Sequence, residues 1–146
     1  MIEEVFVPFE MAKLLKKRGF DEQTFWQYDI HTEERCHEPY DMWMANSEVD
    51  ENYLISCPTL QMAMMWLREK KGIYINVRMV KNDDFKSPEH IHFIAEVYDI
   101  KTGNFMDNDW YELTYEDVAF SALNYVLCYC LMEPGETASS LLNEQW

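Results

Sequence analysis

Apolar positions recur at helical spacing in three stretches of the chain and alternate with polar ones in two. Between Pro8 and Gly19 the apolar residues Phe9, Met11, Ala12, Leu14 and Leu15 form one stripe, followed by Lys16, Lys17 and Arg18. Proline suits a first helical turn, where its missing N–H is no loss. Cations favour the carboxyl end, and glycine accepts the left-handed turn that closes a helix. A first helix is predicted there. Residues 58–71 repeat the plan, opening on Pro58 and closing on basic residues before Gly72, and predict a second. A third is predicted over residues 115–132, with Thr114 and Asp117 as a capping box. From Val118 onward only Ser121 and Asn124 are clearly polar in it, so it is either central to the core or half covered by another subunit.

Alternation marks the strands. Ile73, Ile75, Val77 and Met79 alternate with Tyr74, Asn76 and Arg78, and Ile91, Phe93, Ala95 and Val97 repeat the pattern within residues 90–100. The intervening residues 81–89 read as a long hairpin loop, which makes the two strands antiparallel neighbours. Lys101, Thr102 and Gly103 turn into a short strand near Phe105. Residues 23–30, rich in aromatics, predict a further strand and residues 40–45 a weaker one, with loops at 32–39 and 47–52. The order of elements predicts a single α+β domain: an antiparallel sheet of three to five strands with three helices packed on its apolar face. It occupies residues 1–132, and residues 133–146 form a C-terminal tail. A length of 146 residues suits one core.

Charge narrows the function classes. Twenty-seven Asp and Glu against twelve Lys and Arg give a formal charge of -15. Such a field repels nucleic acid and anionic membranes and attracts cations and basic protein surfaces. The longest apolar runs, residues 62–67 and 125–132, fall far short of the roughly 20 residues a bilayer span needs. The acidic start predicts neither a secretory leader nor a basic transit peptide, hence a cytoplasmic location. Cys36, Cys57, Cys128 and Cys130 lack C-x-x-C spacing, so reduced thiols are expected.

His90, His92 and Glu96 share one face of a strand, and two imidazoles with a carboxylate can ligate a transition metal. The run H-x-H-x3-E-x6-G, ending at Gly103, resembles part of the first cupin motif over fourteen residues. Asp84 stands where that motif opens on glycine, no second cupin motif follows, and Arg78 across the hairpin would oppose a cation. His31, Cys36 and His37 match no zinc spacing. Asp107, Asn108, Asp109 and Glu112 are similar to the start of a calcium loop, but Glu112 replaces its sixth-position glycine and Val118 its twelfth-position glutamate. No nucleophile elbow, P-loop or dinucleotide-binding glycine cluster occurs, so no catalytic residue and no cofactor are indicated.

What remains is the acidic surface: Glu48, Asp50 and Glu51, then Asp83 and Asp84, then Asp107, Asp109, Glu112, Glu116 and Asp117, with Trp110 as an aromatic anchor. Carboxylates on a folded scaffold can imitate phosphates and occupy a basic groove. The competing reading is plain solubility. Trp26, Tyr40, Trp43, Tyr111 and Trp146 are further aromatics near the acidic loops or the tail, and such anchors ringed by charge are common at interfaces.

Residues 7–20 (VPFEMAKLLKKRGF), 58–71 (PTLQMAMMWLREKK) and 115–123 (YEDVAFSAL) resemble phrases in a group of small proteins of gut Bacteroides and their phages, a group with no assigned activity. The likeness reaches from residue 7 to about residue 131. It implies a bacterial or phage cytoplasm, where a small acidic protein could inhibit a host nucleic-acid-binding or defence protein. The sequence therefore points to a non-enzymatic acidic module that binds a basic protein surface and imitates nucleic acid. The alternative is a metal-binding protein or metal-dependent enzyme built on His90, His92 and Glu96. A third reading is a homo-oligomer joined through the third helix.

Overall fold

The computed structural model describes residues 2–81, 91–133, 135 and 136. The described residues gather in two compact units, drawn from Met1–Ala63 with Leu127–Trp146 and from Met64–Val126. The α+β class expected from the pattern is the one adopted. The strands, expected in one sheet, divide among the described residues between two antiparallel sheets of three.

In the first unit, α1 (Phe9–Lys17) starts after an extended Pro8 and buries Met11, Ala12, Leu14 and Leu15. Gly19 ends it at φ +96°, a conformation other residues rarely adopt, and Phe20 N–H then donates to Leu15 O at 2.9 Å. Three short strands, β1 (Gln27–Asp29), β2 (Arg35–Cys36) and β3 (Leu54–Ser56), form a sheet in the order β2-β1-β3. Gln27 stands opposite both Cys36 and Ser56, and Tyr28 opposite Arg35 and Ile55. Polar side chains stitch this unit from within. Asn46, almost fully buried, donates to Phe20 O at 2.9 Å and accepts from Ser56 N–H at 2.8 Å. Two isolated bridges, Phe6 with Thr59 and Thr24 with Met44, extend the pairing.

Arg18, at the carboxyl end of α1, is 4% exposed. Its Nε donates to Leu127 O at 2.7 Å and its Nη1 lies 2.6 Å from Glu136 Oε1. The tail's start at residues 133–136 is thereby fastened, while Leu141, Leu142 and Trp146 lie outside the described residues.

In the second unit, β4 (Ile73–Lys81), β5 (Ile91–Asp99) and β6 (Phe105–Glu112) form a sheet in that order. β4 and β5 are paired from Ile73 opposite Asp99 to Lys81 opposite Ile91, the hairpin the alternation predicted. The turn after β5 is held by Asp99 Oδ1, which accepts from Lys101 N–H at 2.9 Å, and by Gly103 at φ +71°. β6 is longer than the short strand expected, and register shifts interrupt its pairing on either side of Val97.

Across this sheet packs α3 (Tyr115–Tyr125), where Thr114 Oγ1 accepts from Asp117 N–H at 3.1 Å as the capping signature predicts. Val118, Ala119, Ala122 and Leu123 of α3 and Ala95 and Val97 of the sheet have no exposed surface. The apolar helix is thus central to the core of its unit. The second predicted helix is realised as α2 (Leu60–Trp66) followed by a π-helical turn (Leu67–Lys71), and a similar turn (Val126–Cys130) follows α3. No described helix is long and apolar enough to cross a membrane, and among the described residues none of the four cysteines forms a disulfide.

Two outcomes follow for stability. Leu123→Ala removes fully buried volume and is expected to cost about 2–5 kcal/mol, read from urea unfolding. The hydrogen bond from Arg18 holds the Glu136 carboxyl below its ordinary 4.5. A lowered carboxyl pKa stabilises the fold above the unfolded value, and that gain is lost as pH falls through the folded one. Thermal unfolding should show a falling midpoint below pH 4.5, and Glu136→Gln should lower the midpoint at pH 7 while flattening this acid limb.

Candidate functional site

Glu96, proposed above as a metal ligand, sits on β5 opposite Asn76. Its Oε1 accepts from Arg78 Nε and from Asn76 Nδ2, both at 3.1 Å, and its Oε2 accepts from Tyr98 Oη at 3.2 Å. The carboxylate is already neutralised by a guanidinium and saturated with donors, so a cation arriving there would meet Arg78 first. The Tyr98 hydroxyl is pushed up by desolvation, with the carboxylate beside it adding to the shift. His92 packs its ring 4.2 Å from that of Tyr111. His90 lies outside the described residues. Among the described residues, no three His, Cys, Asp or Glu side chains are placed to hold a metal ion.

The loop histidines are apart from one another in role. His31 packs edge-on against Tyr53 at 5.7 Å, whereas His37 stacks on Phe25 at 5.4 Å and bonds Asp41 Oδ1 through Nδ1 at 2.7 Å. Cys36 belongs to β2 and contacts Glu38 O. The stretch compared with a calcium loop is strand: Asp107 is paired opposite Val97, and an extended backbone cannot wrap an ion.

The acidic candidates divide between the two units. In the first, Glu48 Oε1 accepts from Ala45 N–H at 2.9 Å and from Gln23 Nε2 at 3.3 Å, and Asp50 Oδ1 accepts from Asn52 N–H at 3.0 Å. Glu51 is exposed beside them. In the second, Glu112 closes β6 and Glu116 and Asp117 occupy the first turn of α3, all three exposed. Among the described residues none of these six carboxylates makes an ion pair. Glu116 and Asp117 also complement the positive end of the helix dipole. Asp107 is half-buried on β6, Asp109 lies two positions further on that strand, and Asp83 and Asp84 fall outside the described residues.

Trp110 stands opposite Ala95 and packs its ring 4.7 Å from that of Tyr125, on the face covered by α3. Its neighbour Tyr111 points to the other face and is 62% exposed. Alternation along a strand assigns these two rings opposite roles: the tryptophan is shared with packing, and the tyrosine is the one turned to solvent.

The structure also assembles an aromatic cleft that no local pattern showed. Phe6, Phe25, Trp26 and Trp43, with Pro58 and Met62, wall a space of about 280 Å³, and Glu4 is also among its lining residues. Its parts come from four separate stretches, at residues 4–6, 24–26, 43 and 57–62, and are brought together by backbone pairing. Val7 N–H donates to Pro58 O at 3.0 Å, Cys57 N–H to Trp26 O at 3.0 Å, and Thr24 exchanges bonds with Met44 beside Trp43. Over the rings of Phe6 and Trp26 lies the Arg35 guanidinium, 3.9 and 5.1 Å from their centroids. Cys57, also on the lining, is 1% exposed, and burial pushes its thiol up to about 11. A thiol so far from ionising at neutral pH is a packing group and no nucleophile.

No family model, curated protein or solved structure matches the chain. The α+β class and the geometry above therefore carry the functional argument by themselves.

Thiol titration checks the assignment of Cys57. In the folded protein near pH 8, Cys57→Ser should leave the number of thiols reacting with an aromatic disulfide unchanged, and in urea it should lower that number by one. A loss of reactive thiol already in the folded state would show that Cys57 is accessible.

Proposed function

We propose that this protein is a non-enzymatic acidic module that binds a basic surface on another protein. The observation that carries this reading is the group Glu112, Glu116 and Asp117. Three exposed carboxylates lie within six residues at the junction of β6 and α3, fixed on ordered backbone and without an ion pair among the described residues. Anchored negative charge in a chain of net -15 steers a basic partner into encounter and disfavours acidic ones. Unpaired surface carboxylates retain their full field, whereas those in a salt bridge would cancel locally.

The finer reading is imitation of a phosphate backbone, by which the protein would occupy a basic nucleic-acid-binding groove of a host protein. Its setting would be the cytoplasm of a gut bacterium, with the gene carried by a phage or mobile element. Direct binding of nucleic acid or of an anionic membrane is disfavoured by the same charge.

Capture of partners from a bacterial lysate tests the proposal. A basic nucleic-acid-binding protein should be retained at about 0.15 M salt, where the Debye length is about 8 Å, and released towards 1 M, where it is about 3 Å. The triple variant Glu112→Gln, Glu116→Gln, Asp117→Asn should weaken that complex about tenfold, three exposed contacts contributing about 0.5 kcal/mol each. Retention that ignores both salt and the triple variant would sink the reading.

A further inference from the structure

We infer that the aromatic cleft of the first unit is the seat of an arginine side chain presented by the basic partner. This deepens the reading above and rests on it for the source of the arginine. The walls supply the first argument. Ring faces of Trp and Phe carry negative quadrupole charge, and tryptophan is the strongest of the aromatic acceptors for a cation. Trp43, at 55% exposed, leaves much of its ring open to an incoming group.

The second argument comes from Arg35. It is the only Lys or Arg between Gly19 and Leu67, a stretch with ten carboxylates. Among the described residues it nevertheless makes no ion pair with any of them and lies instead over Phe6 and Trp26. The rings of Phe6 and Trp26 thus already take one guanidinium at contact distance. The surplus of carboxylates in this stretch also offsets the like charge that Arg35 would present to a second guanidinium.

Glu4 is a lining residue, and its carboxylate can give a cation its counter-charge, whereas an apolar side chain filling the cleft would offer that group no partner. Arginine is favoured over lysine because a planar guanidinium can stack on a ring and donate to a carboxylate at once. About 280 Å³ is room enough for one arginine side chain.

The probe is N-acetyl-arginine amide, with the neutral isostere N-acetyl-citrulline amide as control, followed by NMR of the indole N–H resonances at low ionic strength. The arginine compound should shift Trp43 and Trp26 saturably, with the citrulline compound at least about tenfold weaker. Glu4→Gln, an exposed position, should weaken the arginine compound about threefold and leave the citrulline compound unchanged. Equal binding of the two compounds, or shifts at neither tryptophan, would overturn the assignment. In the partner experiment, a complex weakened by Trp43→Ala supports the seat. A complex indifferent to Trp43→Ala and Glu4→Gln but lost in the Glu112, Glu116, Asp117 variant overturns it and leaves the acidic reading standing. Probe binding at the cleft with no salt-sensitive partner supports the seat and removes the broader proposal.

Discussion

A buried guanidinium closes the first unit. Taking the charge of Arg18 out of water costs several kcal/mol, and only good hydrogen bonds to an opposite charge recover it. Leu127 O and Glu136 Oε1 provide them, from positions more than a hundred residues further along the chain. The segment that follows α3 is therefore obliged to return to the end of α1, since leaving Arg18 buried and unpaired would cost more than most single packing defects. Among the described residues the pairing is not complete: Arg18 Nη2 and Glu136 Oε2 are buried without a hydrogen-bond partner there, although Lys17 Nζ approaches that oxygen to 4.0 Å. Burying Arg18 has a second effect. One of the twelve cations is withdrawn from the surface together with the carboxylate that pairs with it, so the net charge of -15 is left to the remaining groups.

The carboxylates do not all stand in the same relation to that field. Asp29 accepts from His31 N–H, Asp50 from Asn52 N–H and Asp99 from Lys101 N–H, so part of the acid content serves turns by the local bonding that favours Asp there. Glu96 and Glu136 are absorbed by Arg78 and Arg18. Of the acidic candidates, Glu51, Glu112, Glu116 and Asp117 are exposed, and their carboxylates are neither ion-paired nor hydrogen-bonded among the described residues, which leaves those oxygens to water or to a partner.

Local signals carried much of the fold. α1, the β4 and β5 hairpin, the Gly103 turn and the Thr114 cap were legible because each is decided within a few residues. β2 and β3 were not, since strands of two and three residues are too short to show alternation. The predicted strand over residues 23–30 contracts to Gln27–Asp29 because Thr24 leaves the ladder to pair with Met44, the one point at which the weaker strand over residues 40–45 forms. Trp110 and Tyr111, both read as anchors, could not be told apart for a similar reason: the register of β6 decides which ring faces α3, and that register depends on pairing with β5. The cleft was the least legible feature. Its rings appear in the sequence as scattered aromatics, and only the long-range pairing of residues 5–7 with 58–60 and of Thr24 with Met44 sets them side by side.

Charge and cleft act over different ranges, and each supplies what the other lacks. Carboxylates reach about a Debye length into solution and raise the rate of encounter, but they discriminate poorly among basic surfaces. Ring faces attract a cation only at contact, within about 6 Å of a centroid, and they require a particular orientation. A protein with acidic groups alone would bind many basic partners weakly, and one with an aromatic cleft alone would find them slowly. Arg35 shows the contact term on this chain's own residue: its guanidinium lies over the rings of Phe6 and Trp26. On the proposed reading, the same division of labour applied to an arginine from outside would give contact selectivity to an otherwise diffuse electrostatic attraction.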